Sequence, residues 1–221
     1  MMKLAIFDFD GTIYENETFS LLMNHLKEHP VYGNHYAKFY RSALLPYIGY
    51  KIKLYPEEKM KKRLMQNYLQ VLDGLSKKEI TLFFTEIAGE MKTDLNKHVL
   101  SRMKEHKDNG FHIMIVSGAF TPLLESIAKD FPVDTIIGTD IPIQNGLYDA
   151  NKEITHVHAE RKTDVVYEYV DPKTVNWGEC YAYGDSFSDL SILSLVGNPV
   201  AVRPDERLLT VAKQKGWEII E

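Results

Sequence analysis

The sequence of 221 residues predicts an α/β fold, in which helices cover both faces of a parallel β-sheet. Short apolar runs rich in β-branched and aromatic residues each end near Gly, Asp or Pro, as buried strands do. Segments with helical periodicity lie between most of these runs, and such alternation is typical of a Rossmann-like parallel sheet. The first run is followed by a stretch without strand-like patterns, which predicts a small helical insertion directly after the first strand.

The strands and helices of the core can be placed from these patterns. The predicted strands are Leu4–Phe9, His112–Ser117, Thr135–Gly138, Tyr181–Gly184 and Pro199–Val202. The predicted helices of the core are Leu95–Lys107, Thr121–Asp130, Lys162–Val170 and Phe187–Val196. Pro122 occupies a favourable first-turn position of its helix. Asn145 and Gly146, between two short extended runs, predict a β-hairpin.

The insertion is predicted to occupy residues 16–88, between the two parts of a core formed by residues 1–15 and 89–221. Its predicted helices are Phe19–Glu28, Tyr36–Leu44 and Glu57–Leu72, separated by Pro30, Pro46 and Gly74. Residues 16–88 contain 11 Lys and Arg against 7 Asp and Glu, whereas the rest of the chain contains 15 against 24. This asymmetry indicates two units with different roles.

Composition limits the classes of protein to consider. Hydrophobic residues make up 44% and charged residues 26%, which is ordinary for a soluble globular protein. Cys180 is the only cysteine, so a disulfide framework is excluded and a reducing, cytoplasmic location is expected. The N-terminal apolar stretch is broken by Asp8 and is too short for a signal peptide.

Neither a membrane nor a nucleic acid is an expected partner. No apolar run approaches the ~20 residues that a membrane span needs, so stable membrane insertion is not expected. The net charge of −5 gives no general reason to expect nucleic-acid binding. The oligomeric state stays open.

Chemically useful side chains follow several of the predicted strands. Ligands of open parallel sheets bind beyond the carboxyl ends of the strands, so these side chains should share one rim. They are Asp8 and Asp10 after the first strand, Ser117 and Gly118 after the second, Asp185 and Asp189 after Tyr181–Gly184, and Lys162 at the start of a helix. Because close buried carboxylates repel each other, a metal ion or a lysine should lie among them.

This combination of groups suits phosphoryl transfer. Carboxylate oxygens are preferred ligands of Mg²⁺. A phosphate that bridges the metal, Lys162 and Ser117 would have its charge neutralised from several directions, and the backbone amide of Gly118 could also contact it. Asp8 and Asp10 point to the same side of an extended segment. One could attack phosphorus while the other protonates the leaving oxygen and later takes a proton from water.

The motifs "DFDGT", "VSGAF", "RK" and "GDSFSDL" occur in this order and resemble the four motifs of the haloacid-dehalogenase-like (HAD) phosphatases. The resemblance covers roughly two-thirds of the chain, the α/β core. It implies that Asp8 is the nucleophile and Asp10 the general acid/base. It also implies that Asp8, the backbone carbonyl of Asp10, and Asp185 hold Mg²⁺, with Asp189 in support. Ser117 and Lys162 would hold the phosphate, and the insertion would be a helical cap of type 1.

Within this family the sequence resembles the phosphoserine-phosphatase branch more closely. Glu17, in "NET", matches the substrate-binding glutamate of that branch, and "SGAF" is similar to its "SGGF". Gly11 and Ser188 depart from the Ser and Asn usual there. The branch also has an arginine in its cap. In this sequence the first candidate for it is Arg63 and the second is Arg41. The predicted activity is Mg²⁺-dependent hydrolysis of a small phosphate monoester through an aspartyl-phosphate, with phosphoserine as one candidate substrate.

Other interpretations stay open beside this one. Asp185 could merely cap the helix that follows it, and Glu17 could simply favour a helix dipole. A signalling receiver phosphorylated on Asp without turnover would use similar groups, although the large insertion opposes it. A non-catalytic binding module would have a degenerate site, and the intact set of groups opposes that. A dehalogenase would not need the second acid/base Asp10.

Two features of the sequence have a structural explanation that competes with a functional one. His25 and His29 lie four residues apart, and His156 and His158 alternate as in a strand, but neither pair has a third ligand, so all four are predicted as surface residues. The tyrosines and phenylalanines of the insertion are predicted mainly as its own core. They could also form a pocket for a substrate with an apolar or an extra anionic part.

Overall fold

The computed structural model describes residues 1–221 and contains two sheets. The strands are β1 (Leu4–Phe7), β2 (His112–Phe120), β3 (Thr135–Thr139), β4 (Ile143–Gln144), β5 (Leu147–Tyr148), β6 (Tyr181–Gly184), β7 (Asn198–Val202) and β8 (Glu218–Ile220). The larger sheet has the order β3-β2-β1-β6-β7-β8 with every neighbouring pair parallel. The predicted α/β class with a Rossmann-like sheet is confirmed.

Nine α-helices accompany the sheets. They are α1 (Thr18–Glu28), α2 (Tyr36–Lys51), α3 (Glu57–Leu69), α4 (Lys77–Met91), α5 (Lys97–Asp108), α6 (Thr121–Ile127), α7 (Glu160–Tyr169), α8 (Leu190–Leu193) and α9 (Glu206–Lys215). None of them is long and apolar enough to cross a lipid bilayer. The insertion after β1 is helical, and the division of the chain at residue 88 falls inside α4.

The two faces of the central strand pack into different apolar clusters. Leu4 and Ile6 belong to one cluster, whereas Ala5 and Phe7 belong to the other, because successive side chains of a strand point to opposite faces. All four are fully buried, as expected for a parallel sheet covered on both sides. The cluster around Ala5 and Phe7 also contains buried side chains of α1 to α4, so the helical insertion and the sheet share one continuous core.

Pro46 is a point where the prediction was wrong, because it lies inside α2 and does not end a helix. A proline inside a helix leaves the carbonyl four residues earlier without its N–H donor. In this protein that carbonyl belongs to Ser42, and the side-chain amide of the buried Asn67 donates to it at 3.1 Å. A residue of α3 therefore supplies the hydrogen bond that the α2 backbone lacks.

Five other elements differ from the sequence-based expectation, and two of them, α4 and α9, are helices that were not predicted. The predicted helix Phe187–Val196 is a short 3₁₀ turn followed by α8. The segment around His156 is irregular and forms no strand. β8 was not predicted, because its three residues are too few to show a pattern. The hairpin at Asn145 and Gly146 is confirmed as the β4–β5 pair.

The sheet order determines where a ligand can bind. From β1 the chain proceeds outward through β2 and β3 on one side and, later, through β6, β7 and β8 on the other. The carboxyl ends of β1 and β6 therefore flank the topological switch point, where open α/β sheets bind ligands. The insertion leaves directly from the end of β1 and lies beside this edge.

Candidate active site

Asp8 is held at the carboxyl edge of β1 by backbone pairing. Its amide donates to the carbonyl of Tyr183 on β6 at 2.9 Å, which continues the ladder one residue beyond the strand. The residue is 5% exposed. Burial raises the pKa of Asp8 to about 6; repulsion from Asp189 adds to this rise and the neighbouring Lys162 opposes it. Near neutral pH the carboxylate is therefore available in its ionised, nucleophilic form.

Asp10 is directed toward the start of α1 by a turn. Gly11 has a φ of 69°, a left-handed conformation that glycine adopts without strain. The Asp10 carboxylate accepts hydrogen bonds from the Thr18 amide at 3.1 Å and from the Thr18 hydroxyl. Burial raises the pKa of Asp10 to about 7, against the effect of the Thr18 hydroxyl and with added repulsion from Glu17. This carboxyl group can therefore both give and take a proton near neutral pH.

Lys162 projects from the first turn of α7 into the carboxylate cluster. It is 3% exposed, and its Nζ lies 2.6 Å from Asp8 Oδ1 and 2.5 Å from Asp189 Oδ1. Burial disfavours the ammonium, but the two carboxylates outweigh burial and hold the pKa of Lys162 above its ordinary value. Arg161 instead forms an ion pair with Glu168 at 2.7 Å along the surface of α7, so it does not share the position of Lys162.

Asp185 follows β6 and faces Asp8 across the switch point. No side chain or backbone amide donates a hydrogen bond to its carboxylate. Burial, with repulsion from Asp8 and Asp189, raises the pKa of Asp185 to about 9. Gly11 packs directly on it, because a Cβ at Gly11 would overlap Oδ2 and Cγ of Asp185. A side chain at position 11 would therefore displace this carboxylate.

The donor set at this point fits a hard divalent cation. Carboxylate oxygens of Asp8, Asp185 and Asp189 lie within 4.8 Å of one another, and Lys162 supplies the only positive charge among them. A bound Mg²⁺ would neutralise the remaining negative charge and would give the Asp185 carboxylate a partner. Asp189 differs from the other two, since its oxygens accept from Lys162 and from the amide and hydroxyl of Ser186. It is therefore placed to position neighbours.

Ser117 and Gly118 lie at the carboxyl end of β2, where the pairing of β2 with β3 becomes irregular. Ser117 is 1% exposed, and its Oγ accepts from the Ala119 amide at 3.2 Å. The carbonyl of Gly118 accepts from Thr139 at 2.8 Å. A Cβ at Gly118 would lie 2.8 Å from Nε2 of His156, so glycine allows the close approach of this ring. Bulges of this kind often re-aim residues at active sites.

A cavity of about 570 Å³ joins these groups to the insertion. Its lining contains all but one of the predicted site residues: Asp8, Asp10, Glu17, Ser117, Gly118, Lys162 and Asp185. Asp189 is fully buried behind them. Glu17 precedes α1 and makes no side-chain capping bond, so its exposed carboxylate is free to face the cavity. The arginine expectation was wrong, because Arg63 and Arg41 are exposed and neither lines the cavity.

His156 and His158 are functional candidates that sequence reasoning missed. Both are partly buried and line the cavity, so the prediction of surface residues was wrong. Their rings lie 5.4 Å apart and nearly parallel. Burial, with the neighbouring His158 and Lys61, lowers the pKa of His156 to about 3, which keeps the ring neutral. One indication of their role was present in the sequence. They lie just before the "RK" motif, and this part of the chain must lie near the predicted site because Lys162 belongs to it.

His25 and His29 were also predicted as surface residues, and the structure places them in partly buried positions against α4. Glu86 supplies the third group that the sequence pattern lacked, 3.8 Å from His25 Nε2 and 3.7 Å from His29 Nε2. However, His29 Nδ1 accepts from the amides of Val31 and Tyr32. The neutral ring therefore carries its proton on Nε2, which leaves no lone pair there for a metal.

Comparison with known proteins agrees with this geometry. A model of the haloacid dehalogenase-like hydrolase family matches residues 5–194. The chain therefore belongs to this family, and the predicted membership is confirmed.

Relatives with names include two phosphatases. Phosphoserine phosphatase SerB1 of Mycobacterium tuberculosis is 29% identical over 154 residues, which are 68% of this chain and 49% of that protein. A histidinol-phosphatase of Neisseria meningitidis is 25% identical over 100% of this chain and 99% of that protein. The chain spans about half the length of the curated relatives it matches first. These names agree with the predicted class, a phosphoric monoester hydrolase.

Solved structures share the fold over the whole chain. A Bordetella pertussis protein of unknown function has a TM-score of 0.81 at 20% identity, covering 100% of this chain and 99% of that one. A phosphoserine phosphatase with an analogue of a phospho-aspartyl intermediate has a TM-score of 0.65 at 17% identity, covering 100% and 93%. The likeness includes the helical insertion as well as the sheet.

Proposed function

We propose that this protein is a Mg²⁺-dependent phosphatase that hydrolyses a small phosphate monoester through an aspartyl-phosphate on Asp8. The observation that carries the proposal is the contact of Lys162 with Asp8 and Asp189, beside the unpaired carboxylate of Asp185. A buried cluster with this charge needs a further cation, and a cation with a lysine beside a nucleophilic carboxylate forms a site for a phosphoryl group.

The first step forms a bond between an Asp8 oxygen and phosphorus and breaks the bond between phosphorus and the ester oxygen. Lys162 fixes the Asp8 carboxylate, and its ammonium also counters charge on the phosphoryl oxygens. Asp10, whose pKa lies near 7, gives its proton to the leaving oxygen. The products of this step are the free alcohol and a phosphorylated Asp8.

The second step reverses the role of Asp10. Its carboxylate, held by Thr18, takes a proton from a water molecule as the water oxygen attacks phosphorus. The bond between Asp8 and phosphorus breaks, which releases inorganic phosphate and restores both carboxyl groups. Ser117 and the amide of Gly118, which line the cavity, would hold the phosphoryl oxygens in both steps.

Asp8, the backbone carbonyl of Asp10, and Asp185 are the residues that would hold Mg²⁺. When bound, the ion would neutralise phosphate charge and the repulsion within the carboxylate cluster. Asp189 would orient Lys162 and Ser186 from behind. The helices of the insertion would restrict water and select the alcohol part of the substrate.

The proposal is tested with p-nitrophenyl phosphate, which requires no specific alcohol group. Purified protein should release phosphate with Mg²⁺ and should stop when the metal is chelated. Asp8→Asn should lower kcat by more than about 10⁴-fold, as expected for loss of a covalent nucleophile. Asp164→Asn is a matched control, because Asp164 lies exposed on α7 outside the cavity. Turnover by Asp8→Asn at the wild-type rate would refute the mechanism.

The same experiment separates the receiver hypothesis from hydrolysis. A signalling receiver would accumulate a stable phosphoryl group on Asp8 without repeated turnover. Asp10, whose pKa is raised to about 7, favours hydrolysis instead, since it provides the base that the second step requires. Many molecules of phosphate released per molecule of protein would decide for the phosphatase.

A further inference from the structure

The wall of the cavity opposite the carboxylates is apolar. It is built by side chains from three helices of the insertion: Phe19 and Met23 of α1, Leu44 and Tyr47 of α2, and Met60 and Leu64 of α3. The charged groups Asp8, Lys162 and Asp185 come from the α/β core side of the lining. The cavity therefore has one end suited to a phosphoryl group and one end suited to hydrocarbon.

Charges on the insertion side leave no free cation for an acidic substrate. The only charged residues that the insertion contributes to the lining are Glu17 and Lys61. Lys61 is already paired, with its Nζ 3.0 Å from Glu57 Oε1. A substrate carboxylate would thus meet the negative Glu17 and would have to compete with Glu57 for the ammonium of Lys61, so its desolvation would be only partly compensated.

The apolar wall continues to the surface of the molecule. Leu44 and Tyr47 line the cavity and yet are 42% and 45% exposed, so the hydrocarbon end is open. Ile48, four residues after Leu44 on the same face of α2, prolongs this surface and is 44% exposed. A chain longer than the cavity could leave along this face without losing apolar contact.

From these three observations we propose that the substrate is an amphiphilic phosphate monoester, whose alcohol part is an apolar chain without a carboxylate. The phosphoryl group lies at Asp8, and the chain lies between α1, α2 and α3 toward Leu44. This inference rests on the proposed phosphatase function and specifies the substrate class of that site. It predicts that a small zwitterionic ester is a poorer substrate, because its carboxylate finds no free cation even though Glu17 could pair with its ammonium.

A chain-length series tests the proposal. Ethyl, butyl, hexyl and octyl phosphate, each below its micelle-forming concentration, are compared by kcat/KM, with O-phosphoserine as the polar reference. Each added methylene that is buried should raise kcat/KM by up to about fourfold, the equivalent of about 0.8 kcal/mol. A flat or falling series, or O-phosphoserine above hexyl phosphate, would overturn the inference. If p-nitrophenyl phosphate is not hydrolysed either, the proposed function itself has failed.

Two adjacent leucines provide a matched pair of variants. Leu44→Gln places an amide in the apolar wall and should lower the ratio of kcat/KM for octyl over ethyl phosphate by about tenfold. Leu45→Gln changes a more exposed neighbour outside the cavity and should leave that ratio unchanged. Both positions are exposed, so folding should be kept. Equal ratios in the two variants would contradict the proposed path of the chain.

Discussion

The two ends of the cavity differ in how their residues are fixed. At the sheet end, Asp8, Lys162 and Asp189 are nearly or fully buried and hold one another by hydrogen bonds. At the insertion end, Leu44 and Tyr47 are about half exposed and rely on apolar contact. The difference separates two tasks. Preorganised charged groups would bind the phosphoryl group and carry out its transfer, whereas a less rigid apolar wall would select the alcohol part of the substrate.

This contrast also explains the placement of the insertion. Helices that share one apolar core with the sheet can present side chains to the cavity without disturbing the carboxylate cluster. Tyr68 of α3 shows the connection, since its ring packs against Phe120 of the sheet while its hydroxyl donates to the carbonyl of Leu22 on α1. Substitutions at the two ends should therefore have separable effects.

The largest effect on folding is expected at the charged end. Lys162→Met removes the ammonium and leaves Asp8 and Asp189 buried and unpaired, so it should lower the free energy of unfolding by about 3–5 kcal/mol. Arg161→Met, the adjacent control, breaks a surface pair and should cost at most about 1 kcal/mol. Urea unfolding of both variants measures the difference. Equal losses would show that Lys162 does not compensate the buried carboxylates.

His106 lies in the core outside the cavity, and its protonation should affect folding stability without affecting the charged end of the cavity. Tyr183 accepts from Arg102 at 3.2 Å, and its hydroxyl also forms a hydrogen bond of 2.7 Å with Nε2 of His106. Burial and the neighbouring Arg102 lower the pKa of His106 to about 4 from an ordinary 6.5. Because the unfolded chain binds this proton more readily, the contribution of His106 to stability should fall as pH drops from 6.5 to 4, by about 3 kcal/mol in total. The raised pKa values of Asp8 and Asp10 act in the opposite direction, so the contribution of His106 is measured as the difference between wild type and a His106 variant.

The check is a set of urea unfolding curves between pH 7 and pH 4 for wild type and His106→Gln. The free energy of unfolding of wild type minus that of the variant should fall as the pH drops through this window, because the variant has no ring to protonate. Because His106 does not line the cavity, kcat/KM should change little at neutral pH. An unchanged acid dependence in His106→Gln would assign the effect to other groups.

The smallest effect is expected at the boundary between the two ends, where Glu17 faces the cavity. Glu17→Ala should change KM for specific alkyl esters by about tenfold or less while it leaves p-nitrophenyl phosphate hydrolysis largely intact. Glu15→Ala is a nearby control, because Glu15 lies outside the cavity and pairs with Arg203 on the surface. A loss of equal size on every substrate would give Glu17 a structural role.

Much of the charged end could be predicted from sequence, and little of the apolar end. The aspartates follow strands, and a parallel sheet must bring strand ends to one edge, so the strand pattern alone places Asp8 and Asp185 together. His156 alternates with His158 as in a strand, but the segment is irregular, so this pattern did not predict the direction of the ring. Whether Arg63 and Arg41 face the cavity depends on the orientation of the insertion's helices about their own axes. The amphipathic patterns of these helices do not determine that orientation.

The course of α2 shows the same limit. Pro46 predicts an interruption of the helix, because it leaves the Ser42 carbonyl without its backbone donor. The side chain of Asn67, distant in sequence, donates to that carbonyl instead. Such tertiary compensation leaves no local pattern. The consequence is functional as well as structural, because the uninterrupted helix carries Leu44 and Tyr47 together along one wall of the cavity.

The central claim is that the phosphoryl group is transferred to Asp8. Trapping the aspartyl-phosphate intermediate tests this claim most directly. In Asp10→Asn, p-nitrophenyl phosphate can still lose its stable leaving group, but water attack lacks its base, so the phosphorylated protein should accumulate. After acid quenching and proteolysis, mass spectrometry should find one phosphoryl group on the peptide containing Asp8, in a burst matched by p-nitrophenol release. A phosphoryl group on another residue, or undiminished turnover without any phosphorylated peptide, would contradict the account.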